Sequence, residues 1–235
     1  MQKKFTILIP IFNEIESIFD LVDEIFIVFK DYNFELLIVD DGSSDGFINK
    51  YKRLLSRKKK IKLHVHSKNL GKCAAMLTGV KKASNNLICV LDGDGQNPPS
   101  EAKKMIDFWI KESSHTFKIL CGHRVNRMDN FKKQISSRMA NYIRKIILND
   151  DCFDTACALK VFRKEDYLKI KYFRNMHRFL PAMFKNQNGK VINIEVSDRI
   201  RKKGISKFNF NNRFWVGIID LVKVFYFTRM ERRKR

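Results

Sequence analysis

The chain has 235 residues, 44% of them apolar and 20 of them phenylalanine, enough to close one compact domain around a real core and to exclude a disordered chain. A formal net charge of +22 points to polyanionic partners: nucleic acid, an anionic membrane face or phosphorylated substrates. Five cysteines without a CxxC pair or a zinc-spaced His/Cys cluster exclude a zinc module and fit a reducing compartment, and no run of about 20 uncharged apolar residues offers a spanning helix.

Met1-Gln2-Lys3-Lys4 runs straight into Phe5–Ile11, a continuous apolar segment ended by a polar turn, which is the pattern of a buried parallel strand rather than of a signal peptide. Asn13 followed by Glu16 reads as a capping pair for a helix carrying Ile15, Ile18, Phe19, Val22, Ile25, Phe26 and Phe29 at helical spacing. Glu35–Val39 is a second buried strand, stopping at Asp40-Asp41-Gly42-Ser43. A basic helical segment spans Lys50–Lys62, a third strand Lys62–His66, a helix Gly71–Ala83 and a fourth strand Leu87–Leu91, which ends at Asp92-Gly93-Asp94. Cys73 and Cys89 read as small core residues. Beyond Pro98-Pro99 the pattern predicts a helix over Ser100–Lys111, a strand over Phe117–Cys121 and a polar, arginine-bearing stretch over Gly122–Asn130. A basic helix follows over 131–148, then strands over Ala158–Phe162 and Val191–Val196 around a helix near His177–Lys185. Alternating strands and helices imply a doubly wound, mostly parallel α/β sheet, whose ligands bind beyond the carboxyl ends of the strands.

Those ends are acidic. Asp92 and Asp94 are hard oxygen ligands suited to Mg²⁺ or Mn²⁺, with Gln96 as a neutral donor two residues on. The plainer alternative is an acidic turn capping the next helix. Asp40 and Asp41 divide evenly between turn residues and acceptors for a nucleobase or ribose hydroxyl.

PIFNE (10–14), VDDGSSD (39–45), NLGKCAAMLTGVKKA (69–83) and DGDGQNPP (92–99) resemble, in order and spacing, the motifs of inverting GT-A glycosyltransferases of family 2. The nearest groups are the dolichyl-phosphate mannose synthases and the bacterial polyprenyl-phosphate glycosyltransferases. The resemblance continues through GHRVNRMDNFKKQISSRMAN (122–141), DTACALKVFR (154–163), MHRFLPAMF (176–184) and RKKGISKFNFNNRFWVGIIDL (201–221), so it covers essentially the whole chain. It implies a Rossmann-like GT-A domain over 1–210, followed by an apolar and basic segment over 211–235. It implies that Pro10, Asn13, Glu14, Asp40, Asp41, Gly71, Lys72 and Asp92 hold a nucleotide-sugar, GDP-mannose or a UDP-hexose. It further implies that Asp92, Asp94 and Gln96 ligate Mg²⁺ or Mn²⁺, that Arg124, Arg138, Arg201 and Lys207 face phosphates, and that Asp154 lies near the reacting centre. The acceptor it implies is a dolichyl or undecaprenyl phosphate at the cytoplasmic face of a membrane, with a membrane protein as a further partner. Ala156 and Ala158 stand where the family often has glycine, which bears on the sugar preference.

The chemistry agrees with that set independently. An acceptor phosphate is already an anion, so the enzyme must hold two negative reactants together, with a metal on one and guanidinium groups such as Arg124, Arg127, Arg138 and Arg201 on the other. Phe214–Phe227 is apolar but short, broken by Asp220 and Lys223, and followed by Arg229, Arg232, Arg233, Lys234 and Arg235. It reads either as an interfacial amphipathic helix on anionic lipid or as a helix packed on the core. Two other functions stay open. A transferase to a soluble or glycan hydroxyl would use Asp154 as general base. A nucleic-acid binder would explain the charge but not the acidic strand ends, so no nucleic acid is expected.

Overall fold

The runs FTILIPI and FELLIVD fold as β1 (Phe5–Ile11) and β2 (Phe34–Asp40), and every residue of both is buried, as continuous apolar strands covered on two faces must be. The computed structural model describes residues 4–55, 60–112, 116–125, 143–199, 220–226 and 228–229. Five more strands join β1 and β2: β3 (Ile61–Val65), β4 (Leu87–Val90), β5 (Lys118–Arg124), β6 (Lys160–Arg163) and β7 (Lys190–Val196). Their order is β3-β2-β1-β4-β6-β5-β7. All neighbouring pairs are parallel except those made by β6, which runs against both β4 and β5.

Period-two alternation divides the core between two faces. Phe5, Ile7, Ile9 and Ile11 pack with Leu36 and Ile38 beneath α1 (Ile15–Val28) and α4 (Pro99–Lys111). Leu8, Leu37, Val39, Ile88 and Val90 turn the other way, beneath α3 (Lys72–Lys82), α5 (Lys164–Leu168) and α6 (Leu180–Asn186). Each such side chain contributes about 1.5–3 kcal/mol by leaving water, so the three-layer arrangement follows from the alternation itself. All five cysteines are buried free thiols, Cys73 and Cys89 among them.

Several boundaries differ from the sequence reading, each for a local reason. Asn13 does not cap α1 with Glu16. It takes a left-handed backbone (φ 53°), the helix opens at Ile15, and the Ile15 N–H donates to Asp45 Oδ2 at 2.9 Å. The acceptor comes from a loop thirty residues away, which no local pattern reveals. The basic helix is shifted towards the N-terminus as α2 (Phe47–Leu55), because Phe47 and Tyr51, one turn apart, are both buried. The helix expected near His177–Lys185 divides into a 3₁₀ turn (Met176–Arg178) and α6, with Pro181 in the first turn, where its missing N–H costs nothing. Of the 131–148 helix only 143–148 lies among the described residues, and it is helical. The described part of the C-terminal segment is helical over 220–226. Val224 is buried and Leu221 packs against the core, while Val222 and Tyr226 are exposed. Asn175 Nδ2 donates to Asp220 Oδ2 at 2.9 Å, so this segment is attached to the body of the domain.

Candidate active site

The sheet order reverses at β1, with β2 on one side and β4 on the other, and such a switch point opens a crevice at the carboxyl ends. Because β6 is antiparallel to both β4 and β5, the latter two run the same way. The carboxyl ends of β1, β2, β4, β5 and β7 therefore share one edge of the sheet, and the loop that enters β6 lies on that edge too.

Asp40 and Asp41 are adjacent but differently employed. Asp40 is fully buried; its Oδ1 accepts from the Ser43 N–H at 3.0 Å and from the Ser43 hydroxyl. Its Oδ2 is buried with no hydrogen-bond partner among the described residues. A buried acceptor left unmet costs about 1–3 kcal/mol, so this oxygen is suited to a donor that a ligand brings. Asp41 has its acceptors committed within the fold. Oδ1 receives the Leu70 N–H at 3.0 Å and lies 2.7 Å from His66 Nδ1, while Oδ2 receives the Gly71 N–H at 2.7 Å. Asp41 thus fastens the loop entering α3 to the end of β2.

Gly93 and Gly95 shape the next loop for two reasons. A Cβ on Gly93 would meet Ile11 Cγ2 at 2.6 Å, and Gly95 has φ +72°, the left-handed region that favours glycine. Ser17 on α1 donates its hydroxyl to the Gly93 carbonyl at 2.8 Å. Asp92 pairs with the Lys72 ammonium, both side chains about one-third exposed, and Asp94 Oδ1 accepts the Gln96 N–H at 3.0 Å. Among the described residues no group of three or more His, Cys, Asp or Glu side chains is gathered to hold a metal. Two carboxylates and an amide oxygen nonetheless suit Mg²⁺ or Mn²⁺, which complete their shells with water and phosphate oxygens, and the ammonium on Asp92 shows that this point already draws a cation.

On the other wall Arg124, at the end of β5, forks onto Asp154: Nε to Oδ2 at 2.6 Å and one terminal nitrogen to Oδ1 at 3.1 Å. The other terminal nitrogen donates to Asp198 Oδ2 at 3.3 Å. Burial opposes the guanidinium charge, but the Asp154 hydrogen bonds and charge outweigh it, and its pKa stands above the ordinary arginine value. Asp154 Oδ1 also accepts the Ala156 and Cys157 amides at 3.1 and 3.2 Å. Asn97 Nδ2 donates to Asp198 Oδ1 at 3.4 Å, so a continuous polar path joins the Asp92–Asn97 loop to Asp154.

The residues expected to form a site therefore fall on this one edge wherever the structure describes them. Pro10 is buried within β1 opposite Val39, Asn13 Oδ1 accepts the Ser44 N–H at 2.7 Å, and the Glu14 carbonyl receives the Ser17 and Ile18 N–H groups of α1. Gly71 and Lys72 reach Asp41 and Asp92. Arg124 turns towards two carboxylates instead of open solvent. Arg127, Arg138, Arg201 and Lys207 lie outside the described residues. Sequence reasoning missed Arg199, Glu24, Asp198 and His66, whose roles come from contacts across the sheet edge and leave no periodic signal.

Residues 6–171 match the profile of glycosyl transferase family 2. The chain is 31% identical to dodecaprenyl-phosphate galacturonate synthase of Rhizobium johnstonii, over 98% of this chain and 69% of that protein. It is 27% identical to undecaprenyl-phosphate 4-deoxy-4-formamido-L-arabinose transferase of Photorhabdus laumondii, over 88% of this chain and 64% of that one. It spans about two thirds of the length of these relatives. Glucosyl-3-phosphoglycerate synthase from Mycobacterium tuberculosis, solved with Mn²⁺, UDP and phosphoglyceric acid, superposes with a TM-score of 0.70 at 9% identity. That superposition covers 96% of this chain and 78% of that one, which establishes a common GT-A fold. With the profile spanning most of the sheet and the acidic strand ends gathered on one edge, the chain belongs to glycosyl transferase family 2.

Proposed function

We propose that the chain moves a glycosyl group from a nucleotide-diphosphate sugar to a polyprenyl phosphate, with inversion at the anomeric carbon. The observation that carries this reading is the engagement of Asp154, whose oxygens already receive a guanidinium fork and two amides. A hydroxyl acceptor needs a carboxylate able to take its proton. A phosphate acceptor is ionised at neutral pH and needs cations instead. The names of the two curated relatives, both polyprenyl-phosphate sugar enzymes, support the same acceptor.

On the donor side Asp40 Oδ2 accepts an N–H of the base, and Asp92, Asp94 and Gln96 hold the divalent cation. When bound, that cation neutralises the departing diphosphate. On the acceptor side three of the five N–H donors of Arg124 have partners among the described residues, and the other two are assigned to an incoming oxyanion. Its charge is already balanced by Asp154 and Asp198, so the net positive charge facing the acceptor is assigned to Arg138, Arg201 and Lys207. A phosphate oxygen forms the new bond to the anomeric carbon from the face opposite the diphosphate, the old C–O bond breaks, and its electron pair leaves with the nucleoside diphosphate. No proton need move.

In this reading the enzyme works peripherally at the cytoplasmic face of a membrane, with a membrane protein as a further proposed partner. Among the described residues no helix is long and apolar enough to cross a bilayer. Val222 and Tyr226 are exposed and precede a run of basic residues in the sequence, and the helical stretch 143–148 exposes Ile143 and Ile146, which suits contact with a lipid surface. The relatives' names specify galacturonate and a formamido-arabinose, not mannose, so the sugar is best sought across classes.

The decisive assay incubates the chain with Mn²⁺ or Mg²⁺, detergent-dispersed undecaprenyl phosphate, and UDP-galacturonate, UDP-glucose or GDP-mannose. Mass spectrometry of the lipid fraction is expected to show a glycosylated polyprenyl phosphate with one of them. Donor hydrolysis without a lipid product, or transfer to a glycan hydroxyl, would overturn the proposal.

A further inference from the structure

We infer that Arg199 is a positioning residue for Asp94, acting through the Gly95–Gln96 peptide, with Glu24 on α1 as its anchor. The inference deepens the donor-site reading above and rests on it. Arg199 Nε donates to the Gly95 carbonyl, and its backbone N–H donates to the Gln96 carbonyl at 3.0 Å. The Gly95 carbonyl and the Gln96 N–H are the two ends of one planar peptide, and that N–H donates to Asp94 Oδ1 at 3.0 Å. A guanidinium bound to one end of the plane therefore fixes the direction in which the other end meets Asp94, and the two bonds polarise each other.

The loop needs such a brace. With Gly95 at φ +72°, local backbone preference alone leaves the peptide many alternatives. The brace is anchored in turn: the two terminal nitrogens of Arg199 fork onto Glu24 Oε1 and Oε2 at 3.1 and 2.7 Å, across 175 residues of sequence. Lysine cannot make the fork and the carbonyl bond together. The Arg199–Glu24 pair is about one-third exposed, a setting in which an ion pair adds little to stability, so its variants should fold.

The test measures Mn²⁺ binding to the whole chain by electron paramagnetic resonance, together with amide exchange at Gln96 and thermal stability. R199K should weaken Mn²⁺ binding by about tenfold, the scale seen when groups behind metal ligands are lost, and E24Q by less. Both should speed exchange at Gln96 and leave Tm within about 2 °C of the parent. Asp94→Ala serves as the reference. If it abolishes Mn²⁺ binding while R199K changes neither binding nor exchange, the inference falls and the donor site stands. If Asp94→Ala leaves Mn²⁺ binding intact, the donor-site reading falls and takes this inference with it.

Discussion

On the wall of the crevice made by β1, β2 and β4, each acidic side chain sits within a few residues of a strand end; on the facing wall, Arg124 and Asp154 lie thirty residues apart in sequence and meet as a buried ion pair. On the first wall Asp40 Oδ2 is buried with no partner among the described residues, and Asp92 pairs with Lys72, whose side chain is about one-third exposed. The second wall has committed its charges to each other. Under the proposed function the contrast has a meaning: one side would receive a cation and a base, whereas the other would be a frame that orients the basic groups reaching the acceptor. Burial separates them, since a buried pair that loses one partner leaves a costly uncompensated charge, whereas exposed groups can exchange partners freely.

The largest expected effect breaks the receiving wall. Asp94→Ala should lower metal-dependent kcat/KM by about a thousandfold or more with Tm unchanged, because a ligand to a Lewis acid is lost while the loop stays braced. Retained turnover would remove Asp94 from the metal site. Arg124→Ala should act on the frame instead. It takes the balancing guanidinium away from the buried carboxylates of Asp154 and Asp198, and chemical denaturation should show a loss of about 3–5 kcal/mol. A loss under 1 kcal/mol would mean that the ion pair is not part of the frame.

The adjacent aspartates sharpen the contrast within one turn. Asp40→Asn keeps an oxygen for Ser43 but presents an amide where the unmet oxygen was, so donor KM should rise about tenfold with little change in Tm. Asp41→Asn weakens the contacts with Leu70, Gly71 and His66 and should cost about 1–3 kcal/mol, with a smaller effect on KM. If the two variants exchange these behaviours, the division of labour proposed for them is reversed.

What the sequence made legible follows the same division. β1, β2 and β4 are continuous apolar runs whose ends are marked by aspartates, so the strands, the edge and the acidic loops were all readable locally. The Asp45 acceptor at the start of α1, the His66–Asp41 contact and the Glu24–Arg199 fork join residues 30, 25 and 175 positions apart. Only the folded chain brings them together. β6 shows the limit another way. KVFR reads as a short strand in any direction, and its reversal is set by the neighbours β4 and β5, not by its own residues. Arg124 stood out in the sequence as a candidate, but its commitment to two carboxylates did not, because a buried arginine has no sequence signature of its own.

The smallest predicted effect concerns Glu35, a carboxylate of the same kind near the opposite end of β2, with every function structural. It accepts from the Thr6 hydroxyl at 2.7 Å, from the Ser84 amide and hydroxyl at 2.9 Å each, and pairs with Lys62 at 2.7 Å. Burial pushes its pKa up, but the Lys62, Thr6 and Ser84 contacts together hold it below the ordinary carboxylate value. A depressed folded-state pKa contributes stability that is fully present above the unfolded value near 4.5 and is lost as pH falls through the folded value. Because Lys62 is mostly exposed, its share is screened, and the hydroxyl and amide bonds carry most of the effect. Glu35→Gln should therefore cost about 1 kcal/mol at pH 7 and leave stability flatter with pH below about 4.5, while the donor KM stays at the parent value. Urea unfolding from pH 3 to 7 reads the slope directly. An unchanged slope in Glu35→Gln would show that acid sensitivity arises elsewhere in the fold.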